Sequence, residues 1–560
     1  MSAPVTTRHF VRVGEREVHY RRAGSGPPFV LLHSSPQSAA FVLPGLLPLA
    51  RDWALIGLDT PGYGGSDPLQ QAQPSAADYA DASVAAMDAL GIRRAPIYGT
   101  HTGAHIALEV ALRHPDRVAG LVLDGISFNT PEEAKERLDN YAPQFHPTAD
   151  GAHLAWAWQH TRDQIVFYPW FRAEKGRRLD AAMAAPDYIH DVVLAKMDAV
   201  KYWLGYRAAF GHDSRSVIYK LAVRTTVVAR EGDILAPEAK RLTDLPPEVR
   251  VLDTTKEQWL DAIRDCLAWC AEGDPDVAPA TLPVGRAATW RSYAGTGEGQ
   301  RLVRRGGGGA GRPIVMLHGD MSSSRMVLPL AEALGKTRPF VALDIAGNAE
   351  SDPLAVGVTL KDYASDVSAV IASAGIVSYD VYGESLGAAL ALELALQDGE
   401  KVNRVILDRP VFPVAEERAD LLAHYAPLIA AQWDGTHWLT AWHMLRDRAF
   451  FWPWYQRTRE AIRWADPEID PARLQTQLLD WLKGRATYGD YVRACVGADA
   501  GSFGDVSQPV LVTVMAGDRL ESHADRIAAV LPNIVRHEIA ENGPPLAPAL
   551  AEYLGSNQRP

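Results

Sequence analysis

Between residues 313 and 410 short apolar runs alternate with segments of helical spacing. "PIVMLHG" (313–319) and "PFVALDIAG" (339–347) are unbroken enough to predict buried strands. "LKDYASDVSAVIASAG" (360–375) places its apolar residues three and four apart and predicts a helix. "YDVYGES" (379–385) predicts a strand, "LGAALALELALQ" (386–397) a helix and "VNRVILDRP" (402–410) a further strand. Strands too apolar to face water, separated by helices, make a parallel sheet covered on both faces. A Trp-rich stretch then breaks the alternation, at about 411–505 here and at about 128–220 in the first half. In the second half strands resume at "PVLVTVMAGD" (509–518).

The alternation occurs twice because the chain repeats itself. "DGAHLAWAWQHTRDQIVFYPWF" (150–171) and "DGTHWLTAWHMLRDRAFFWPWY" (434–455) share ten of 22 positions at a spacing of 284 residues. The same spacing relates "YGTHTG" (98–103) to "YGESLG" (382–387) and, within one residue, "LLHSSPQS" (31–38) to "MLHGDMSS" (316–323). One spacing across distant stretches means a tandem duplication. The expected domains are 1–275 and 287–560, each with an inserted helical cap. The junction is expected in "EGDPDVAPATLPVGR" (272–286), which has no apolar period. The glycine run "RRGGGGAGRP" (304–313) lacks the Lys-Ser/Thr of a phosphate loop and is expected to turn a hairpin between two early strands.

Composition narrows the class of function. With 560 residues, 47% apolar and 22% charged, the chain is globular and too long for one core. Its net charge of −12 disfavours nucleic acid or an anionic membrane as an obligatory partner. Cys266, Cys270 and Cys495 form no zinc pattern and are expected to be reduced core residues. No apolar run suits a signal peptide or a membrane span, so a cytoplasmic location is expected. No metal cluster or nucleotide fingerprint stands out, and no cofactor is inferred.

With "HG" (318–319), "LDIAGNAES" (343–351) and "GESLG" (383–387), the second half resembles the cap-bearing α/β-hydrolase superfamily. The first half resembles it through "LDTPGYGGS" (58–66), "YGTHTGAHIALEVALRHPDRV" (98–118) and "REGD" (230–233). The resemblance covers nearly the whole chain and implies two tandem α/β domains, each a mostly parallel, doubly wound sheet with a helical cap. It also implies that "GESLG" is a nucleophile elbow, a strand-to-helix turn whose glycines let the central side chain stand clear. Ser385 is then the nucleophile. The backbone N–H groups of Leu386 and Asp320 are the oxyanion donors, and Asp518, or Asp408, is the acid of a triad.

The triad's base is missing. Where the family's histidine belongs, after the last strand, the second half reads "ENGPP", and His537 falls too early. The first half offers Lys256 and Glu257 there, and its elbow carries His101 in place of serine. Three accounts follow. A cap histidine, His437 or His443, serves Ser385. Alternatively His101, oriented by Asp233 or Asp124, is itself the base or nucleophile. In the third account both copies only bind ligands, or scaffold as an intramolecular pseudo-dimer. The caps' clustered aromatics suit a small, partly apolar molecule, and Arg162 and Arg446 are candidate anchors for its carboxylate. The function expected is hydrolysis of a small ester, lactone or activated C–C bond. The alternatives are a cofactor-free lyase using His101 as base and a non-catalytic binding protein.

Overall fold

The computed structural model describes residues 5–271, 289–297, 299–464, 466–539 and 543–555. The chain divides into two compact units, and each carries one eight-stranded sheet. The expected junction at 272–286 lies outside the described residues, as do Glu541 and Asn542 of "ENGPP".

In the first unit the strands are β1 (Thr6–Val13), β2 (Arg16–Ala23), β3 (Pro28–Leu32), β4 (Ala54–Leu58), β5 (Ala95–Thr100), β6 (Val118–Asp124), β7 (Thr225–Arg230) and β8 (Val249–Thr254). Their order across the sheet is β1-β2-β4-β3-β5-β6-β7-β8. The second unit repeats this with β9 (Thr289–Gly295), β10 (Gln300–Gly307), β11 (Ile314–Leu317), β12 (Pro339–Leu343), β13 (Tyr379–Glu384), β14 (Val402–Asp408), β15 (Val510–Val514) and β16 (Ile534–Glu538). Its order is β9-β10-β12-β11-β13-β14-β15-β16, the same path. Only the first strands of each sheet, β1, β2, β9 and β10, run antiparallel to their neighbours.

The central strands β3 and β11 are buried at every position. Helices cover them on both sides, so no polar face is needed. Those helices start by repeated means. Ser75 and Asp78 form a reciprocal capping box on Ala76–Ala89, and Thr359 and Asp362 do the same for Leu360–Ser373. Between β6 and β7 the chain inserts helices at Pro131–Asn140, Ala152–Val166, Pro186–Asp198 and Trp203–Phe210. Between β14 and β15 it inserts Ala415–His424, Thr436–Phe450, Pro471–Lys483 and Tyr488–Gly497.

The glycine run does not turn a hairpin. It joins β10 to β11, and β12 lies between them in the sheet. The glycines serve close packing instead, since a Cβ on Gly307 would sit 2.4 Å from the Arg338 carbonyl and one on Gly309 2.4 Å from that of Thr337. The three cysteines are buried and unpaired with one another. No helix among the described residues is long and apolar enough to cross a membrane.

Candidate active site

Both elbows form as sharp turns. His101 sits between β5 and the helix Thr102–Arg113 with φ 48°, and Ser385 ends β13 with φ 53°. Non-glycine residues seldom adopt this left-handed conformation, and it holds here because the flanking glycines pack without room to spare. A Cβ on Gly99 would fall 2.3 Å from the Gly103 carbonyl, and one on Gly383 2.3 Å from that of Gly387. Each apex amide is also tied to the next strand. His101 N–H donates to the Asp124 carbonyl at 3.0 Å, and Ser385 N–H to that of Asp408 at 2.9 Å.

In the first unit the apex meets an acid. His101 Nε2 lies 3.2 Å from Asp233 Oδ2, on the loop after β7. The Asp233 side chain is 4% exposed, whereas 35% of the His101 side chain is open to solvent. Burial pushes the Asp233 carboxyl up, but the charge and hydrogen bond of His101 outweigh it and hold the group at about 2. The imidazole moves the other way. Burial lowers it, Asp233 raises it by charge and hydrogen bond, Asp124 adds to the rise, and the result lies above the ordinary histidine value. An Nε2–H donated to Asp233 leaves Nδ1 to accept a proton. His101 borders a cavity of about 210 Å³ whose walls include Tyr141, Tyr168, Tyr206 and Phe210.

In the second unit the apex meets an acid with no imidazole between them. Ser385 Oγ donates to Asp320 Oδ1 at 3.1 Å. That carboxylate also accepts from Tyr425 Oη at 2.8 Å and from Arg448 at 3.0 Å. Asp320 was expected to serve through its backbone amide, and here its side chain engages the hydroxyl. Asp518, the counterpart of Asp233, is bound by Arg463 at 2.6 and 3.3 Å. The adjoining cavity, about 120 Å³, is lined by Asp320, Glu384, Arg409, Arg448 and Arg463. Leu386 caps the helix Gly387–Asp398 as the elbow geometry requires.

The cap histidines do not approach the serine as expected. His437 Nδ1 accepts the Gln432 amide at 3.1 Å, closing the turn before its helix, and His443 is exposed. His537 is exposed on the edge strand β16. Arg446 donates to the Ala149 carbonyl at 2.8 Å.

Asp124 and Asp408 occupy one structural position. Each is buried at the end of its strand and accepts a tyrosine hydroxyl at 2.6 Å, from Tyr98 and Tyr382. Asp408 further accepts from Thr513 and Arg409. Burial opposes its ionisation, yet Arg409 and these hydroxyls hold it below the usual carboxylate range. Sequence reasoning passed over Arg448, Arg463 and Tyr425, which occupy the second unit's carboxylates.

The family model for the alpha/beta hydrolase fold matches residues 27–254 and 312–463, more than half of the chain. The chain belongs to the α/β-hydrolase fold family. Among its relatives is the 2-hydroxymuconate semialdehyde hydrolase of Pseudomonas sp. strain CF600, 33% identical over 153 residues, which are 26% of this chain and 52% of that protein. The chain thus spans about half the length of that relative. A protein named carbamate hydrolase RutD, from Caulobacter vibrioides, is 29% identical over 229 residues, 39% of this chain and 79% of its own. Among solved structures, the enol-lactonase of Burkholderia xenovorans LB400 aligns at 18% identity with a TM-score of 0.35, covering 47% of this chain and 96% of its own.

Proposed function

We propose that this α/β hydrolase acts through its first unit on a small, partly apolar ester, lactone or activated C–C bond. One observation carries the reading: the His101–Asp233 pair stands at the elbow apex beside an aromatic-walled cavity. Its role is to activate water. Asp233 holds the imidazole in one tautomer and stabilises the imidazolium that forms as Nδ1 takes the proton. The cavity is smaller than a drug-sized site, and its tyrosine and phenylalanine walls favour a small, largely apolar acyl or enol group. The relatives' names support the class, since one is a semialdehyde hydrolase.

The second unit is proposed to be non-catalytic. Its serine donates to an aspartate whose charge Arg448 already offsets, and its triad acid is held by Arg463. A serine without a base is a weak nucleophile. The test is turnover of a panel of aryl esters, lactones and vinylogous 1,5-diketones by His101→Ala and Ser385→Ala. Loss in the first and retention in the second supports this assignment. The reverse pattern moves the activity to the second unit.

A further inference from the structure

The cavity beside His101 has a second polar edge, unrelated to the elbow's own apex. Ser127 and His105 both border it. Ser127 Oγ lies 3.0 Å from His105 Nε2. His105 Nδ1 lies 3.1 Å from His212 Nδ1, and His212 Nε2 lies 2.9 Å from Glu109 Oε1. These four side chains form a file from the cavity to a carboxylate, and Ser127 Oγ also accepts from Asn129 Nδ2 at 3.3 Å. His105 and Ser127 are each 2% exposed, so the inner half of the file is shielded from bulk water, while Glu109 at its outer end is half-buried.

Proton bookkeeping fixes its direction. The hydrogen bond from His212 favours Glu109 in its ionised form, below the usual glutamate value. Burial and the neighbouring His212 keep His105 uncharged, well below the usual histidine value. When His212 is neutral as well, Glu109 accepts from its Nε2–H, and its Nδ1 accepts from His105 Nδ1–H. His105 Nε2 is then a bare lone pair aimed at the Ser127 hydroxyl. That is the arrangement of an activated serine with two imidazoles in series instead of one.

The second unit supplies the contrast. At the matching positions it has Ala389 for His105, Val411 for Ser127 and, with Gly211 set on Gly497, Ala498 for His212. The fold therefore closes with apolar side chains at all three sites. A buried polar file is costly unless every member is satisfied, so its presence in one copy alone marks a use beyond packing.

We propose that Ser127 is an acyl-accepting nucleophile of the first unit, activated by the His105–His212–Glu109 file. This deepens the hydrolase reading of the same cavity and rests on it. Ser127 Oγ forms a C–O bond to the substrate's carbonyl carbon while its proton passes to His105 Nε2. The tetrahedral adduct expels the alcohol, which leaves with that proton. Water then adds to the acyl carbon, giving its proton to His101 Nδ1. Collapse breaks the acyl C–O bond to Ser127, whose Oγ takes back the proton held on His101, and releases the carboxylic acid.

The experiment is labelling of the full-length protein with a fluorophosphonate, the adduct being located by peptide mass spectrometry. The expected adduct is on Ser127. Its formation should slow about 10²-fold or more in His105→Ala, consistent with the loss of a general base. His101→Ala should label at the unmodified rate and should accumulate acyl-Ser127 from an activated aryl ester. An adduct on Ser385 alone, no adduct, or equal labelling in His105→Ala overturns the proposal. Labelling of Ser127 with turnover retained in His101→Ala would instead overturn only the role of His101. Should the variants fail to fold, ¹⁵N-histidine spectra of the unmodified protein decide. The Nδ1–H tautomer of His105 supports the file, and the Nε2–H tautomer overturns it.

Discussion

The two elbows share a backbone and differ in what surrounds the apex. In both, a Cβ on the first elbow glycine would fall 2.3 Å from the carbonyl of the second, the apex φ is near 50°, and a buried aspartate accepts a tyrosine at 2.6 Å. In the first unit the acid after the seventh strand meets a half-buried imidazole across 3.2 Å, beside an aromatic cavity. In the second unit the equivalent acid meets a guanidinium across 2.6 Å, and the serine meets a carboxylate. The turn is thus a scaffold that holds a side chain out. Whether that side chain reacts depends on which charges the cap and the loop after the seventh strand bring to it.

The contrast is broken or sharpened by substitution at matched positions. The largest effect is expected at the apexes: His101→Ala should lower kcat about 10²–10⁴-fold, the usual worth of a general base, with Ser385→Ala within about twofold of the parent. Equal losses in the two would end the assignment of activity to one unit. Next come the acids. Asp518→Asn should cost about 3–5 kcal/mol of stability by leaving Arg463 partly buried and unpaired, read as a fall in melting temperature with activity on the surviving fold unchanged. Asp233→Asn should lower the melting temperature as well, because its carboxyl is buried and held at about 2 in the fold, and unlike Asp518→Asn it should lose turnover on the surviving fold.

Smaller and equal effects test what the two copies share. Gly99→Ala and Gly383→Ala should each destabilise by about 1–3 kcal/mol, because the new methyl meets main chain that cannot move aside. A large difference between them in chemical denaturation would mean that only one elbow is tightly held. The last prediction concerns pH. His101 must be neutral to accept a proton, and Asp233 raises its pKa, so kcat should climb with pH through a limb above the ordinary histidine value. In the residual activity of Asp233→Asn that limb should move to lower pH. A shift to higher pH would show that another group sets it.

Much of the scaffold was legible in the chain. The apolar runs marked β11, β12 and β13 because strands covered on both faces have no polar face to show. The elbows were legible because only glycine fits beside a carbonyl at such distances. The glycine run at 304–313 misled, because its glycines answer a close approach by residues 337 and 338, which local sequence does not display. His437 and His443 misled in another way: a histidine in a cap that covers an elbow need not face it, and His437 Nδ1 accepts from the Gln432 amide.

By itself the sequence determined that one domain is present twice, that each copy bends a strand sharply into a helix, and that imidazole stands at one bend and hydroxyl at the other. These follow from local sterics and from periodicity, which any short stretch carries within itself. Tertiary structure decided the partners. His101 lies 132 residues from Asp233, His105 lies 107 from His212, and Arg463 lies 55 from Asp518. Electrostatic and hydrogen-bond pairing acts through space over a few ångströms, so the chemistry of each copy was set only when the folded sheet and cap brought those residues together.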